Sequence, residues 1–266
     1  MDAADWSVDP SAAPSLAAPA LGDDPAWTAY ALGDLEPPFA EHASVAVATS
    51  KIGARATCLT LQHPAFTFMI TAGPAGGVRA LLGNIPVSAE TQLSVREEHI
   101  EAFAEYYDFP YGQRRMRRMV LDGLPELPAH DRAERPARLG REHARDLDAL
   151  YSRYPESSFT TDHLDGGVFF GIREGGDLAA VAGTHVVSRR FRLAAIGSVF
   201  TQPESRGREY GSLLTAAVAR ELRAMGCETI VLNVAEANTT AGGIYERLGF
   251  RDHCAFLETR GALKPT

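Results

Sequence analysis

Cysteine is scarce in this chain: 266 residues carry three, Cys58, Cys227 and Cys254. An odd number without metal-ligand spacing argues against a disulfide framework or a zinc module and fits reduced thiols of a cytosolic protein. Long apolar runs are missing too. Nothing approaches the ~18 apolar residues of a membrane span, and no basic segment followed by an apolar run opens the sequence. A membrane is therefore not an expected partner, and the cytoplasm is the default address. Positive charge is also in deficit, with 26 Lys and Arg against 34 Asp and Glu and a formal net charge of −8. Such a field repels phosphate backbones at long range, so nucleic acid is not expected either.

What is present describes a globular protein. Hydrophobic residues make up 45% and charged residues 23%, which supports a packed core. The length suits two domains better than one. Residues 1–25, rich in Ala, Pro, Ser and Asp without apolar periodicity, read as a disordered tail. A second break falls at 124–136, LPELPAHDRAERP, where three prolines and a charge run read as a linker. The expected domains are therefore 26–123 and 137–266.

Both domains show the same element order. In the first, strands are expected at 43–49, 56–62 and 65–71, a short helix around 78–82, a strand at 91–95, a helix at 97–107 and a strand at 114–121. In the second, a helix at 141–151 precedes a hairpin of strands 167–173 and 178–188. A strand at 193–201, a helix at 211–225, a strand at 228–234, a helix at 238–248 and a closing strand after Phe250 follow. Local echoes accompany this order: TQLSV, a helix and YYDF in the first half, and TIVLNV, a helix and YERLGF in the second. A degenerate duplication and a plain architectural recurrence both remain open.

Two segments carry chemistry. In Ile196–Ser212, IGSVFTQPESRGREYGS, an apolar strand runs through an Arg- and Gly-containing turn directly into a helix. The first N–H groups of a helix lack intrahelical partners and sit at its positive end, which suits a pyrophosphate. Gly207 and Gly211 allow close approach, and Arg206 and Arg208 add positive charge. In Leu232–Phe250, LNVAEANTTAGGIYERLGF, Asn233 and Asn238 flank a strand end and Tyr245 lies on a helix that stops at Gly249. Asn238 as a plain N-cap and Tyr245 as packing account equally well for the second segment alone. The run QRRMRRM at 113–119 is either a substrate-attracting surface or a solvated, paired strand.

Together the two segments resemble the GNAT superfamily of acyl-CoA-dependent N-acyltransferases, with a layout similar to glycine N-acyltransferase-like proteins. The family's pyrophosphate loop corresponds to Arg206–Gly211, and its later helix to Asn238, Tyr245 and Leu248-Gly249-Phe250. The resemblance implies an α+β fold: a mixed, largely antiparallel twisted sheet flanked by helices, preceded by a smaller α/β domain for which the same type is open. It implies acetyl-CoA as co-substrate, no metal, and a small-molecule amine such as an amino acid as acceptor, in a monomer or homodimer. Val199, Phe200 and Thr201 would pair with pantetheine. Arg206, Gly207, Arg208, Glu209, Tyr210, Gly211 and Ser212 would hold the pyrophosphate, with Asn233, Asn238 and Tyr245 completing the cofactor site. Tyr245 would be the general acid, and His185 and Glu236 are the candidates for the base. The first domain lacks a comparable loop and should not bind CoA. One departure stands out: Glu209 replaces the first glycine of the family loop, placing a carboxylate near a diphosphate. A non-catalytic acyl-CoA sensor or interaction module is the rival reading.

Overall fold

The computed structural model describes residues 5–64, 66–128, 135–153 and 159–265. Residues 1–4 of the expected tail and 129–134 of the expected linker lie outside these. From the N-terminus the chain forms β1 (Trp6–Asp9), α1 (Pro14–Leu21), α2 (Ala29–Gly33), β2 (Ala43–Ser50), β3 (Arg55–His63), β4 (Phe66–Ala72), α3 (Ala75–Leu82), β5 (Glu90–Val95), α4 (Ile100–Ala104), β6 (Tyr107–Asp108) and β7 (Gln113–Leu121). Then come β8 (Ala137–Leu139), α5 (Ala144–Tyr151), β9 (Phe169–Glu174), β10 (Asp177–Ser188), β11 (Leu193–Thr201), α6 (Tyr210–Ala224), β12 (Thr229–Ala235), α7 (Thr239–Arg247) and β13 (Phe250–Leu263). The chain divides into two compact units. The first holds Met1–Arg118, Ala235–Ala237 and His253–Thr266, and the second Met119–Val234 and Asn238–Asp252. Each has a mixed, mostly antiparallel sheet flanked by helices, the expected α+β class.

In the first unit β1 to β4 run antiparallel in order, β5 lies parallel to β4, and β13 runs antiparallel to β5. Helix α3 presents Val78, Leu81 and Leu82, an i, i+3, i+4 stripe, to a core with Trp6, Ala46, Cys58, Met69 and Leu93. The expected tail differs from this picture. Trp6 is 8% exposed and pairs with Ser50 across β1 and β2, and Ala17, Ala20 and Leu21 of α1 are buried. One tryptophan and one apolar helix face supply the burial that the averaged composition conceals.

The arginine run of β7 is mostly engaged within this unit. Arg118 is 1% exposed, and its Nη1 donates to the carbonyls of Ala26 at 3.0 Å and Trp27 at 2.7 Å. Its guanidinium lies 4.8 Å from the Tyr30 ring and 5.2 Å from the Trp27 ring. Cation–π contacts and carbonyls replace the water that burial removes. Arg118 is thus a core cation rather than a lure for anions.

In the second unit β8, β9, β10 and β11 are antiparallel neighbours, and β12 lies parallel to β11. One core, packed with α6 and α7, contains Ile196, Leu214, Val218, Leu222, Ile230, Tyr245 and Phe250. Another holds Leu139, Leu147, Leu150, Tyr151, Phe169 and Val181 around α5. Val199 packs against the first and its neighbour Phe200 against the second, as period-2 alternation requires.

Candidate active site of the second unit

The parallel ladder between β11 and β12 runs from Leu193 opposite Thr229 to Ile196 opposite Leu232 and stops. Both strands continue, to Thr201 and Ala235. Beyond Ile196 the β12-facing edge of β11 therefore offers main-chain donors and acceptors to a ligand, while its other edge stays bonded to β10 through Gly197, Phe200 and Thr201. A bulge causes the departure. Between Gly183 opposite Gly197 and Val181 opposite Phe200, β11 holds one more residue than β10, and Ser198 takes φ 51°. The Ser198 carbonyl accepts the Tyr151 hydroxyl at 2.5 Å, which fixes the bulge from α5. Ser198 carried no signal in the sequence, because left-handed serines are uncommon and unmarked.

The strand then leads through a turn to α6. Glu209 sits at the N-cap position with φ 61°, and no side chain caps this helix. The N–H groups of Tyr210, Gly211 and Ser212 precede the first intrahelical bond, which runs from Leu213 to the Glu209 carbonyl at 3.0 Å. Nothing lies within 4 Å of a side-chain carbon built on Gly207, and only Thr201 Oγ1, at 3.6 Å, meets one on Gly211. Neither glycine is required by side-chain packing, though Gly207 takes a left-handed φ of 75°, and both leave open space over a helix start whose first N–H groups are unspent.

A residue that sequence reasoning missed braces the turn. Glu174, at the end of β9, accepts the Tyr210 hydroxyl at 2.6 Å and the Ser205 hydroxyl at 2.9 Å, and pairs with Arg208. The Tyr210 and Ser205 hydroxyls and the Arg208 guanidinium hold its carboxyl below the usual range. Arg208 is thus spent on Glu174 more than on a ligand. Arg206 reaches the Thr201 carbonyl at 3.4 Å. Glu209 is exposed and forms no ion pair with either arginine, so its carboxylate turns to solvent while its backbone shapes the loop.

Tyr245, on α7, is 8% exposed and contacts the Phe250 ring edge-on at 6.0 Å between centroids. Burial pushes its hydroxyl up to about 12, so it is a proton donor at neutral pH. Asn238 caps α7, its Oδ1 accepting from the Ala241 N–H at 3.1 Å. Asn233 lies on β12 one residue past the last rung of the ladder.

His185 projects from β10 over Gly197, where any side chain would overlap its imidazole at 2.4 Å. Its Nε2 is 3.3 Å from Ser198 Oγ, and the His163 ring lies 5.1 Å away between centroids. Burial and His163 lower its basicity to about 3, so it is neutral at physiological pH. Glu236 falls in the first unit, exposed, with Oε2 3.1 Å from Arg115 Nε and its own N–H on the Arg115 carbonyl at 3.0 Å. The two candidate bases therefore occupy different environments. Among the described residues no group of three His, Cys, Asp or Glu side chains could hold a metal ion.

Residues 133–250 match the acetyltransferase (GNAT) family model. That match points to acyl transfer from an acyl-CoA co-substrate. Among solved structures, a putative GNAT acetyltransferase of Novosphingobium aromaticivorans is 26% identical, with TM-score 0.57, covering 78% of this chain and 89% of its own. A GCN5-related N-acetyltransferase of Sphaerobacter thermophilus is 16% identical with TM-score 0.62, covering 98% and 97%. A tandem GNAT protein from the clavulanic acid biosynthesis pathway is 16% identical with TM-score 0.55, covering 98% and 99%. No curated protein matches the chain.

Proposed function

We propose that the second unit transfers the acetyl group of acetyl-CoA to a primary amine of a small molecule, such as an amino acid, by direct attack in a ternary complex. The observation that carries this reading is the opened edge of β11 leading into the uncapped start of α6. Pantetheine would pair with Val199, Phe200 and Thr201, and the pyrophosphate would rest on the N–H groups between Arg206 and Ser212. The glycines leave that space clear, so the residues fit the group.

The acid–base roles follow from magnitudes. An ordinary amine titrates near 10, and moving its proton to an imidazole at about 3 costs about 10 kcal/mol at ~1.4 kcal/mol per unit. His185 therefore does not deprotonate a free ammonium. The amine enters neutral, and His185, through Ser198 or water, takes the more acidic proton released after attack. Tyr245 stays protonated and hydrogen-bonds the departing sulfur, donating as negative charge builds there. Glu236, tied to Arg115, is the weaker candidate for the base. The first unit is proposed to be a degenerate copy of the same fold that does not bind CoA. Near-complete coverage by a protein described as a tandem GNAT supports this. Assignment to a soluble cytoplasmic enzyme, monomeric or dimeric, belongs to the same proposal.

Release of free CoA from acetyl-CoA, followed across an amine panel at several pH values, tests the proposal. A productive amine should give kcat/KM rising tenfold per pH unit up to its own pKa. Saturable acetyl-CoA binding without turnover on any amine would favour the sensor reading, in which Glu209 and the weakly basic His185 mark a retired site.

A further inference from the structure

The first unit contains a cavity of about 260 Å³ lined by Asp23, Asp24, Arg55, Thr57, Arg96 and Glu98, among others. We infer that this cavity binds a small zwitterion of the α-amino-acid class, its carboxylate on Arg96 and its ammonium between Glu98 and Asp23. The inference is independent of acetyl transfer, because every lining residue belongs to the first unit.

Arg96 is the first reason. Its guanidinium lies 5.5 Å from the centre of the Trp27 ring and is flanked by carboxylates on its Nε and Nη1 sides. The nearest carboxylate oxygens are Glu98 Oε1, 3.2 Å from Nε, and Asp24 Oδ2, 3.8 Å from Nη1. A half-buried guanidinium resting on an aromatic ring, with terminal N–H groups to spare, is a preformed fork for a carboxylate. Its neighbour Arg55 is unlike it, since its Nη2 already donates to both oxygens of Asp23, at 2.7 and 2.9 Å.

The second reason is the buried floor. Thr57 is 1% exposed and its hydroxyl has no hydrogen-bond partner. Such a group costs about 1–3 kcal/mol unless something satisfies it. The groups beside it are already fixed: Trp27 Nε1 donates to the Thr71 carbonyl at 2.8 Å, while His99 meets Thr71 Oγ1 at 2.9 Å and the Gly73 carbonyl at 2.8 Å. The floor is rigid, and the Thr57 hydroxyl is the donor it leaves over.

Charge and size then select the ligand. Three carboxylates and two guanidiniums line the cavity, a formal excess of one negative charge. A phosphate or a simple carboxylate meets that excess, and a simple amine meets Arg96. A zwitterion satisfies both ends. The volume corresponds to about nine waters at ~30 Å³ each, which suits a free amino acid and not a nucleotide.

Isothermal titration of the full chain with each of the twenty standard L-amino acids, their N-acetyl derivatives, their amides, and inorganic phosphate tests the assignment. At least one free amino acid should bind with Kd below about 1 mM, and its two mono-ionic derivatives at least tenfold more weakly. Arg96→Gln and Thr57→Val should each weaken that binding at least threefold while leaving acetyl-CoA affinity and the melting temperature nearly unchanged. Absence of binding by every amino acid, equal binding of mono-ionic derivatives or phosphate, or full affinity in folded Arg96→Gln would overturn the proposal.

Discussion

Both units carry a strand that leads through a glycine-containing turn into a helix and on to a parallel strand: β4, α3, β5 in the first and β11, α6, β12 in the second. The turns differ in what surrounds the glycine. A side-chain carbon on Gly73 would lie 2.3 Å from the Arg55 carbonyl oxygen and 2.7 Å from the Ala56 Cα. One on Gly207 would meet nothing, and one on Gly211 only a distant hydroxyl. In the first unit Pro74 takes the N-cap position of α3, and Trp27 and His99 bond to Thr71 and Gly73 where β4 ends. The same element order thus produces a junction whose glycine is pressed against neighbouring backbone in one case and one whose glycines face open space in the other. Topology does not make an acyl-CoA site; unspent backbone and open space above it do.

The comparison breaks most sharply on matched glycines. Gly211→Trp should abolish acetyl-CoA binding, with more than a hundredfold rise in Kd, in a protein that melts within a few degrees of the original. Gly73→Ala should do the reverse, because a β-carbon there collides with backbone at φ 94°. It should cost about 2–4 kcal/mol of stability and leave the acetyl-CoA affinity of the folded fraction intact. Calorimetric titration beside a melting curve reads both, and a Gly211→Trp protein that still binds would remove the loop from the site.

Tyr245 gives the next largest effect. The Phe variant keeps the ring against Phe250 and removes the donor, so kcat should fall by ~10²–10⁴ with acetyl-CoA affinity unchanged. A packing role would instead cost about 1 kcal/mol of stability and leave turnover near normal. Steady-state kinetics on one productive amine separates the two.

Much of this was legible in the sequence, for physical reasons that also explain what was not. Helix α6 was expected at 211–225 and forms at Tyr210–Ala224, and α7 was expected at 238–248 and forms at Thr239–Arg247. Their apolar stripes and glycine stops are local signals. Three features rest on contacts between distant residues and left no local trace. Glu174 lies 31 to 36 positions from the groups it braces. Ser198 is left-handed only because β10 and Tyr151 hold the bulge. Arg118, read as part of a surface run, is buried because residues 26–30, ninety positions earlier, supply carbonyls and rings. Trp6 and α1 were hidden by averaging over an Ala- and Pro-rich window.

Two carboxylates extend the contrast to pH. Asp34 in the first unit is 6% exposed, its carboxyl has no hydrogen-bond partner among the described residues, and burial raises it to about 7. Its folded pKa lies above its unfolded value near 4, so the folded form is at no disadvantage below pH 4. From there to about pH 7 the unfolded chain ionises first and stability falls. The loss levels off at about 4 kcal/mol above pH 7. Asp34→Asn abolishes this titration, so the variant should gain on the parent between pH 4 and pH 8. Urea melts at the two pH values measure the gap, and an equal difference at both would show that Asp34 is not desolvated.

Glu174 has the opposite character and the smallest expected effect. Its carboxylate is paired by Ser205, Arg208 and Tyr210, and it holds the loop that presents the first N–H groups of α6. Glu174→Gln keeps the size of the side chain and removes the charge, leaving Arg208 uncompensated and free to swing. The loop is then no longer fixed before the ligand arrives, and its ordering is charged against binding. A weakening of about tenfold in KM for acetyl-CoA, roughly 1.4 kcal/mol, is expected with kcat within twofold, because no reacting atom is touched. The pH dependence has a definite sign. Since its partners depress the carboxyl below the ordinary glutamate value, the brace persists as pH falls through 5 and is lost only below that value. Wild-type KM should therefore stay flat from pH 8 to about 5, and the Gln variant should start higher and show no further rise below. A Gln variant with unchanged KM but a lower melting temperature would make Glu174 a prop of the fold rather than of the site.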